Sequence, residues 1–164
     1  LSAHLKQFTA FIHENSHVIV DHGTLNKWKL TNQLKISAPS YLDQDSGEFL
    51  LYPYYDKIRR KLLKKIDDEL AGANEYGREE THESRRFIYT DDSCLSLCHF
   101  VLRNEFLYGE FYLRSSETRE TLKYDMNFIK SLTRDVFSRL SELSEIKMCK
   151  IELKIGSGHI INES

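Results

Sequence analysis

The stretch that decides the fold is CLSLCHFVLRNEFLYGEFYLRSSE, residues 94–117. Two segments within it, 96–102 and 106–113, are rich in aromatic and β-branched side chains, as strands are. The polar pair Asn104-Glu105 lies between them. The pattern therefore predicts a β-hairpin whose turn is at this pair.

Helical periodicity follows the hairpin. Apolar residues spaced three or four apart, as on one face of a helix, predict a long helix of about five turns. Because further large apolar side chains widen this face, we expect the helix to be deeply packed. A last strand is predicted over 148–155, and the segment Gly156-Ser157-Gly158 is expected to end it. The helical positions are Ile129, Leu132, Val136, Leu140 and Leu143.

The first half of the chain is less regular. Helical spacing predicts an N-terminal helix through 5–12 and a second helix from Ile58 with a basic outer face. A strand is predicted near 17–20 and another over 86–90. We expect loops with at most one short element over 24–50, and a charged loop over 71–84. This order predicts a single α+β domain, 1–164, in which an antiparallel or mixed β-sheet packs against the long buried helix.

Composition excludes several classes of function. The chain has 164 residues, 40% of them hydrophobic, and a net charge of −2 from 23 basic and 25 acidic residues. This balance argues against a nucleic-acid or anionic-membrane partner. No apolar run approaches the length of a transmembrane helix. An odd count of three cysteines without a secretion pattern favours reduced thiols and a cytoplasmic setting.

The cysteines do not predict a metal site or a thiol–imidazole pair. On a strand, Cys94 and Cys98 would lie about 13 Å apart, too far to share a zinc ion. Cys94 and His99 would point to opposite faces of the strand unless a bulge intervenes. Core packing is the usual role of a lone cysteine in an apolar strand, and we expect it for Cys98 and Cys149.

Candidate chemistry is carried by Cys94, the pair Arg114-Ser115, and Asp125. Arg114 follows Cys94 by twenty residues, and Asp125 follows Arg114 by eleven. An arginine fork with a serine hydroxyl suits a phosphate group, and a cysteine thiolate is a nucleophile. The alternatives from the residues alone are a solvated strand end for Arg114 and a helix-start charge for Asp125.

These residues, at these spacings, resemble the thymidylate synthase family and its branch of dCMP hydroxymethylases. The resemblance covers about residues 50–161. It implies that Cys94 is the catalytic nucleophile and that Asp125 binds the base. It also implies that Arg114 and Ser115 bind the nucleotide phosphate.

Two further motifs extend the resemblance. Residues 84–86, Ser-Arg-Arg, resemble a family motif, which implies that Arg85 and Arg86 reach the phosphate bound by the partner subunit. Residues 156–161, GSGHII, resemble the family's Gly-Ser-x-His-Ile-Tyr, which implies that His159 binds the sugar. His99 stands where the family has a Gln that contacts the nucleotide.

The resemblance implies a thymidylate synthase-like homodimer. It further implies a C5 methyl- or hydroxymethyltransferase for pyrimidine nucleoside monophosphates that uses 5,10-methylenetetrahydrofolate. Asp125 favours a cytidylate, dCMP or CMP, because the N4 amine of cytosine donates to a carboxylate. An asparagine at position 125 would instead suit uracil.

An inactive protein of the same fold is the alternative. Residues 36–42 correspond to a family segment that carries a catalytic Glu, and this chain has none there. Glu117 replaces an Asp that helps to hold folate, and the chain stops soon after His159, without the segment that closes over folate. A pseudoenzyme that binds a nucleotide or a partner protein fits these departures. A scaffold without a ligand is the third hypothesis.

Overall fold

The structure is a computed structural model, and it describes residues 18–22, 26–31, 34–39, 53–75, 84–117 and 121–163. Within these ranges the chain forms seven strands and two helices. In chain order they are β1 (Val18–His22), β2 (Asn26–Thr31), β3 (Leu34–Pro39), α1 (Pro53–Glu75), β4 (Phe87–Thr90), β5 (Leu95–Arg103), β6 (Phe106–Glu117), α2 (Leu122–Ser141) and β7 (Met148–Glu163).

All seven strands belong to one mixed sheet. Their order is β1-β2-β7-β6-β5-β4, and β3 also pairs with β7. β6 and β7 run parallel, whereas the other pairs are antiparallel. A parallel pair needs a crossover connection, and α2 supplies it between β6 and β7. The prediction of an α+β fold with a mixed sheet is therefore confirmed.

The hairpin predicted at Asn104-Glu105 is present. Arg103 pairs with Phe106, so the turn has two residues. Both turn residues have positive φ, 49° for Asn104 and 66° for Glu105. That combination is typical of a type I′ turn, whose twist matches that of the flanking strands. Lys147 holds the turn from outside, since its amide donates to the Glu105 carbonyl at 2.8 Å.

One face of the sheet is covered by the two helices. α1 packs against β4, α2 packs against β6, and the helices contact each other. Burying a leucine-sized side chain is worth about 1.5–3 kcal/mol, so this shared core is the main stabilising term. Among the residues whose burial the structure describes, the buried apolar side chains of the sheet are Phe87, Leu95, Cys98, Phe100, Leu102, Leu107, Phe111, Leu113, Cys149, Leu153 and Ile155. The prediction that the helix after the hairpin is deeply buried is confirmed.

The expectation of loops with at most one short element over 24–50 is wrong, because β2 and β3 both lie there, and the rest of this range is outside the described residues. Thr31 pairs with Gly158 and Leu34 pairs with Ile155, so the two strands keep a single register along β7. Both strands pair with the 16-residue β7, and β2 pairs with β1 as well. Local periodicity is a weak guide where non-local pairing decides the structure.

Several predicted boundaries are also corrected. α1 begins at Pro53 rather than Ile58, since proline is favoured in the first helical turn. α1 extends to Glu75, so the predicted loop from Ala71 is helical at its start. β7 continues through the two glycines to Glu163, because β2 pairs with its second half. Leu143 lies beyond the end of α2 and is 53% exposed.

The predicted helix through 5–12 lies outside the described residues. In the ranges that are described, neither helix is long and apolar enough to cross a membrane.

Candidate functional site

The candidate site lies where β6 ends beside β7. Ser115 pairs with Ser157, and Glu117 pairs with His159. Hydrogen bonds join the start of α2 to the end of β6. The amide and the hydroxyl of Thr121, which precedes α2, each donate to the Glu117 carbonyl oxygen at 3.1 Å. The end of a parallel strand pair next to helix N-termini is a common place for ligands.

Cys94 lies opposite Arg114 at this end of the sheet. The Arg114 amide donates a hydrogen bond of 2.7 Å to the Cys94 carbonyl oxygen. Cys94 is partly buried, and Arg114 is exposed. The register of β5 against β6 shifts between Leu95 and Leu97, which marks a bulge just after the cysteine. Cys94, the predicted nucleophile, and Arg114, which is predicted to bind the phosphate, are therefore neighbours in the sheet.

Asp125 is buried in the first turn of α2, with 3% of its surface exposed. Tyr54 donates a hydrogen bond of 3.1 Å to Asp125 Oδ1. Tyr55 donates to the same oxygen. The ring of Tyr55 stacks on Phe128, with 4.2 Å between the ring centroids. The first turn of α1 thus fixes a carboxylate in the first turn of α2.

The three ionisable groups of this cluster perturb one another. Burial raises the pKa of Asp125, while hydrogen bonds from Tyr55, Tyr54 and Ser116 act in the opposite direction. Burial and the charge of Asp125 raise the pKa of both tyrosines. A thiolate at Cys94 would also raise the pKa of Tyr54, so this cysteine lies within electrostatic range of the cluster.

Ser116 borders the same cluster. It is 4% exposed, and its hydroxyl makes no hydrogen bond of normal geometry with the described residues. It is close enough to Asp125 to favour the ionised carboxylate. A buried hydroxyl beside a carboxylate can accept a donor or donate to an acceptor on a ligand.

His159 and Glu117 are buried next to the cluster, at 4% and 5% exposure. The Nδ1 atom of His159 lies 3.3 Å from the carbonyl oxygen of Ser157. Because a carbonyl only accepts, Nδ1 carries the proton in this contact. His159, the residue predicted to bind the sugar, therefore lies at the same end of the sheet as Arg114 and Ser115.

Arg85, Arg86 and His99 lie elsewhere in the chain. Arg85 and Arg86 precede β4, whose pairing with β5 directs them towards the end of β5 far from Cys94. Arg86 forms a long ion pair of 3.7 Å with Glu69. The Nε2 atom of His99 lies 3.1 Å from the Arg85 carbonyl oxygen. The action of the two arginines across a dimer interface stays a prediction.

Sequence reasoning missed Tyr54, Tyr55 and Ser116. A signal for the first two was present, since Pro53 marks a helix start and Tyr55 lies three residues before Ile58 on the apolar stripe. Ser116 carries no such signal, because its burial depends on how α2 returns over the end of β6.

In the ranges that the structure describes, no group of three or more His, Cys, Asp or Glu side chains could hold a metal ion. Comparison of the chain with protein-family models and with curated proteins finds no match.

Proposed function

We propose that this chain is a pyrimidine nucleotide C5 methyl- or hydroxymethyltransferase resembling thymidylate synthase, which acts on a cytidylate through Cys94. The observation that carries the proposal is the hydrogen bond between the Arg114 amide and the Cys94 carbonyl. It supports the proposal because a thiol beside an anion-binding arginine can meet a nucleotide held by its phosphate.

In this proposal Arg114 and Ser115 bind the phosphate. The Arg114 side chain is exposed and, among the described residues, makes no ion pair, so its guanidinium can form a bidentate contact. Ser115 adds a hydroxyl donor from the adjacent position of β6. Arg85 and Arg86 of a second subunit would add charge to this site.

Asp125 selects the base. Both tyrosine hydroxyls donate to Oδ1, so Oδ2 retains the capacity to accept from a ligand. The N4 amine of cytosine donates, whereas the O4 atom of uracil accepts. A cytidylate therefore fits this carboxylate better than dUMP does. His159 lies close by for the sugar, and His99 keeps its predicted contact with the nucleotide only if the ligand extends along β5.

The chemistry begins with the Cys94 thiolate. Its sulfur adds to C6 of the pyrimidine, an S–C6 bond forms, and the electron pair of the C5–C6 double bond moves towards C5. C5 then takes a proton from solvent, and methylenetetrahydrofolate, when bound, would supply a one-carbon unit in its place. Loss of the original C5 proton and expulsion of the thiolate restore the double bond. Without any second substrate, this sequence exchanges the C5 hydrogen with solvent.

Folate is less well supported than the nucleotide. Glu117, which corresponds to the family residue that helps to hold folate, is 5% exposed and already has a contact within the fold. Glu117 therefore gives a folate site no support, and the exchange at C5 requires no folate.

One observation favours binding without turnover. The segment that corresponds to the family's catalytic Glu has no Glu, and its first part forms β3. Along β3, Ile36 pairs with Leu153 and Pro39 pairs with Lys150. β3 therefore runs away from the end of the sheet where Cys94 and Arg114 lie. A nucleotide-binding pseudoenzyme of this fold is our second candidate.

Tritium release separates the two candidates. Wild-type protein, Cys94→Ser and Cys149→Ser would be incubated with [5-³H]dCMP or [5-³H]dUMP, with and without methylenetetrahydrofolate. We expect release from dCMP by the wild type and by Cys149→Ser, which removes a buried thiol of β7, and none by Cys94→Ser. Nucleotide binding by calorimetry without tritium release would support the pseudoenzyme. Absence of both would reject both candidates.

A further inference from the structure

The turn between β4 and β5 is organised around the carboxylate of Asp91. The Ser93 amide donates to Asp91 Oδ1 at 2.5 Å, and the Ser93 hydroxyl donates to the same oxygen. The Asp91 amide closes the turn by donating to the Ser96 carbonyl at 3.2 Å. An aspartate that accepts from the amide two residues later forms an Asx turn, which holds the backbone in a defined conformation.

The second oxygen of Asp91 connects this turn to two other elements. Tyr89, on β4, donates to Oδ2 at 3.0 Å. Lys57, on α1, forms an ion pair of 3.3 Å with the same oxygen. Lys57 lies one helical turn after Tyr54, which contacts Asp125. A single carboxylate therefore joins the turn that carries Cys94 to the helix that carries the two tyrosines.

Asp91 is charged at neutral pH. Burial alone would raise its pKa, but the hydrogen bonds from Ser93, Tyr89 and Lys57 lower the pKa to about 2. The Asp91 side chain is 12% exposed and that of Lys57 is 47% exposed, so the carboxylate is largely shielded from water and the ammonium is partly hydrated. The tie between the turn and α1 is consequently present across the neutral range.

We infer that Asp91 is a positioning residue that sets where the Cys94 thiol lies relative to Tyr54 and Asp125. Its importance for catalysis rests on the proposed function, in which Cys94 is the nucleophile. Asp91 itself contacts neither Cys94 nor a ligand. It acts through Ser93, which directly precedes the cysteine, and through Lys57.

Loss of the carboxylate would leave the turn with fewer constraints. The Cys94 carbonyl would keep its bond from Arg114, and the Ser96 hydroxyl would keep its 2.8 Å bond to the Ser93 carbonyl. The first bond joins the turn to β6, the second lies within the turn, and neither reaches α1. The thiol would then move more freely against the tyrosines, and small displacements of a reacting group cost large factors in rate.

Alkylation of Cys94 by iodoacetamide tests this inference. The rate at each cysteine would be measured by peptide mass spectrometry in the absence of any nucleotide. We expect Asp91→Asn and Lys57→Met to raise the rate at Cys94 about fivefold, the upper end of the effect expected for loss of a partly exposed ion pair. Lys57→Arg, which keeps a cation for Asp91, should restore the wild-type rate. Asp67→Asn is the matched control, because it removes a carboxylate that pairs with Arg139.

Wild-type alkylation rates at Cys94 in both Asp91→Asn and Lys57→Met would overturn the inference. Equal alkylation rates at Cys94 in Lys57→Arg and Lys57→Met would also overturn it. Loss of the cation beside Asp91 affects only Lys57→Met, whereas a general loss of stability would affect both variants. Rapid alkylation of the buried Cys98 would show that Asp91→Asn is unfolded, and the two Lys57 variants then decide. An increase at Cys94 without tritium release by the wild type would support the positioning role and reject the proposed function.

Discussion

The amide of Arg114 donates to the carbonyl oxygen of Cys94 over 2.7 Å, so two residues twenty positions apart lie side by side. The hairpin explains this spacing. β5, a two-residue turn and the first part of β6 bring the chain back to its starting level. The spacing that suggested a functional motif is therefore also the spacing that the hairpin produces.

Arg114→Ala should weaken nucleotide binding. The exposed guanidinium loses a charged hydrogen bond to phosphate, which is typically worth about 1.5–3 kcal/mol. Calorimetric titration with dCMP would measure the loss, and deoxycytidine should bind equally to both proteins because it has no phosphate. Arg60→Ala, which removes an exposed arginine of α1, is the control. An unchanged dissociation constant for dCMP would exclude Arg114 from the phosphate site.

Asp125→Asn should shift the base preference from dCMP towards dUMP. The amide can both donate and accept, whereas the ionised carboxylate only accepts. A mismatched buried polar pair costs about 1–3 kcal/mol, so the ratio of the two affinities should change by about 5- to 150-fold. The measurement is competition between the two nucleotides for each protein. A wild-type preference for dUMP would reduce Asp125 to a structural role.

The described part of the fold was predictable where the pattern is local. The hairpin has its polar pair and flanking aromatic residues, and α2 has a sustained apolar stripe. β2 and β3 have neither, and both pair with β7, more than a hundred residues later, although β2 also pairs with β1. Strand pairing over such a separation leaves no local pattern in a polar segment.

The candidate site was predictable only in part, and for the same reason. Cys94 and Arg114 are joined by one hairpin, so their spacing is visible in the chain. Tyr55 and Asp125 lie on different helices, seventy positions apart, and meet only after both helices pack on the sheet. A tyrosine on an apolar stripe looks like a core residue, and this one is also a hydrogen-bond donor.

Asp125 should make stability depend on pH. Its folded-state pKa lies above the ordinary value of 3.8, chiefly because of burial. Stability from the protonated carboxyl is therefore fully present below 3.8 and is lost as the pH rises through the raised pKa. Asp125→Asn removes this loss, so the variant should gain stability relative to wild type by up to about 1.4 kcal/mol per unit of pKa shift.

Urea unfolding between about pH 4 and pH 8 would measure this difference. Asp135→Asn is the control, because it removes a partly exposed carboxylate of the same helix that pairs with Arg59. Parallel curves of unfolding free energy against pH for wild type and Asp125→Asn would show that the carboxyl titrates alike in the folded and unfolded states.

Tyr55→Phe should destabilise the fold without disturbing its packing. The phenyl ring can still stack on Phe128, but Asp125 loses one of its two tyrosine donors. Leaving a buried acceptor short of a partner costs about 1–3 kcal/mol. Tyr108→Phe, at a position that is 44% exposed, should change the free energy of unfolding by less than about 0.5 kcal/mol. Equal effects of the two substitutions would contradict a buried hydrogen bond at Asp125.

Gly156→Ala should destabilise the strand pair beneath the site. A Cβ at this position would collide with the Tyr112 hydroxyl and lie 3.1 Å from the Arg114 carbonyl oxygen. Overpacking of this kind typically costs about 1–3 kcal/mol. Gly72→Ala is the matched control, since no atom lies within 4 Å of its Cβ, and alanine in a helix should stabilise by about 0.5–1 kcal/mol.

The contact with Tyr112 can be isolated by a double-mutant cycle. Tyr112→Phe removes the colliding hydroxyl but leaves the ring carbon Cζ at 3.0 Å and the Arg114 carbonyl in place. We therefore expect Tyr112→Phe to recover part, and not all, of the stability that Gly156→Ala loses in urea unfolding. Complete recovery would assign the whole cost to the hydroxyl. No recovery would instead assign it to the backbone at Arg114, and weakened binding of dCMP should then accompany the loss of stability.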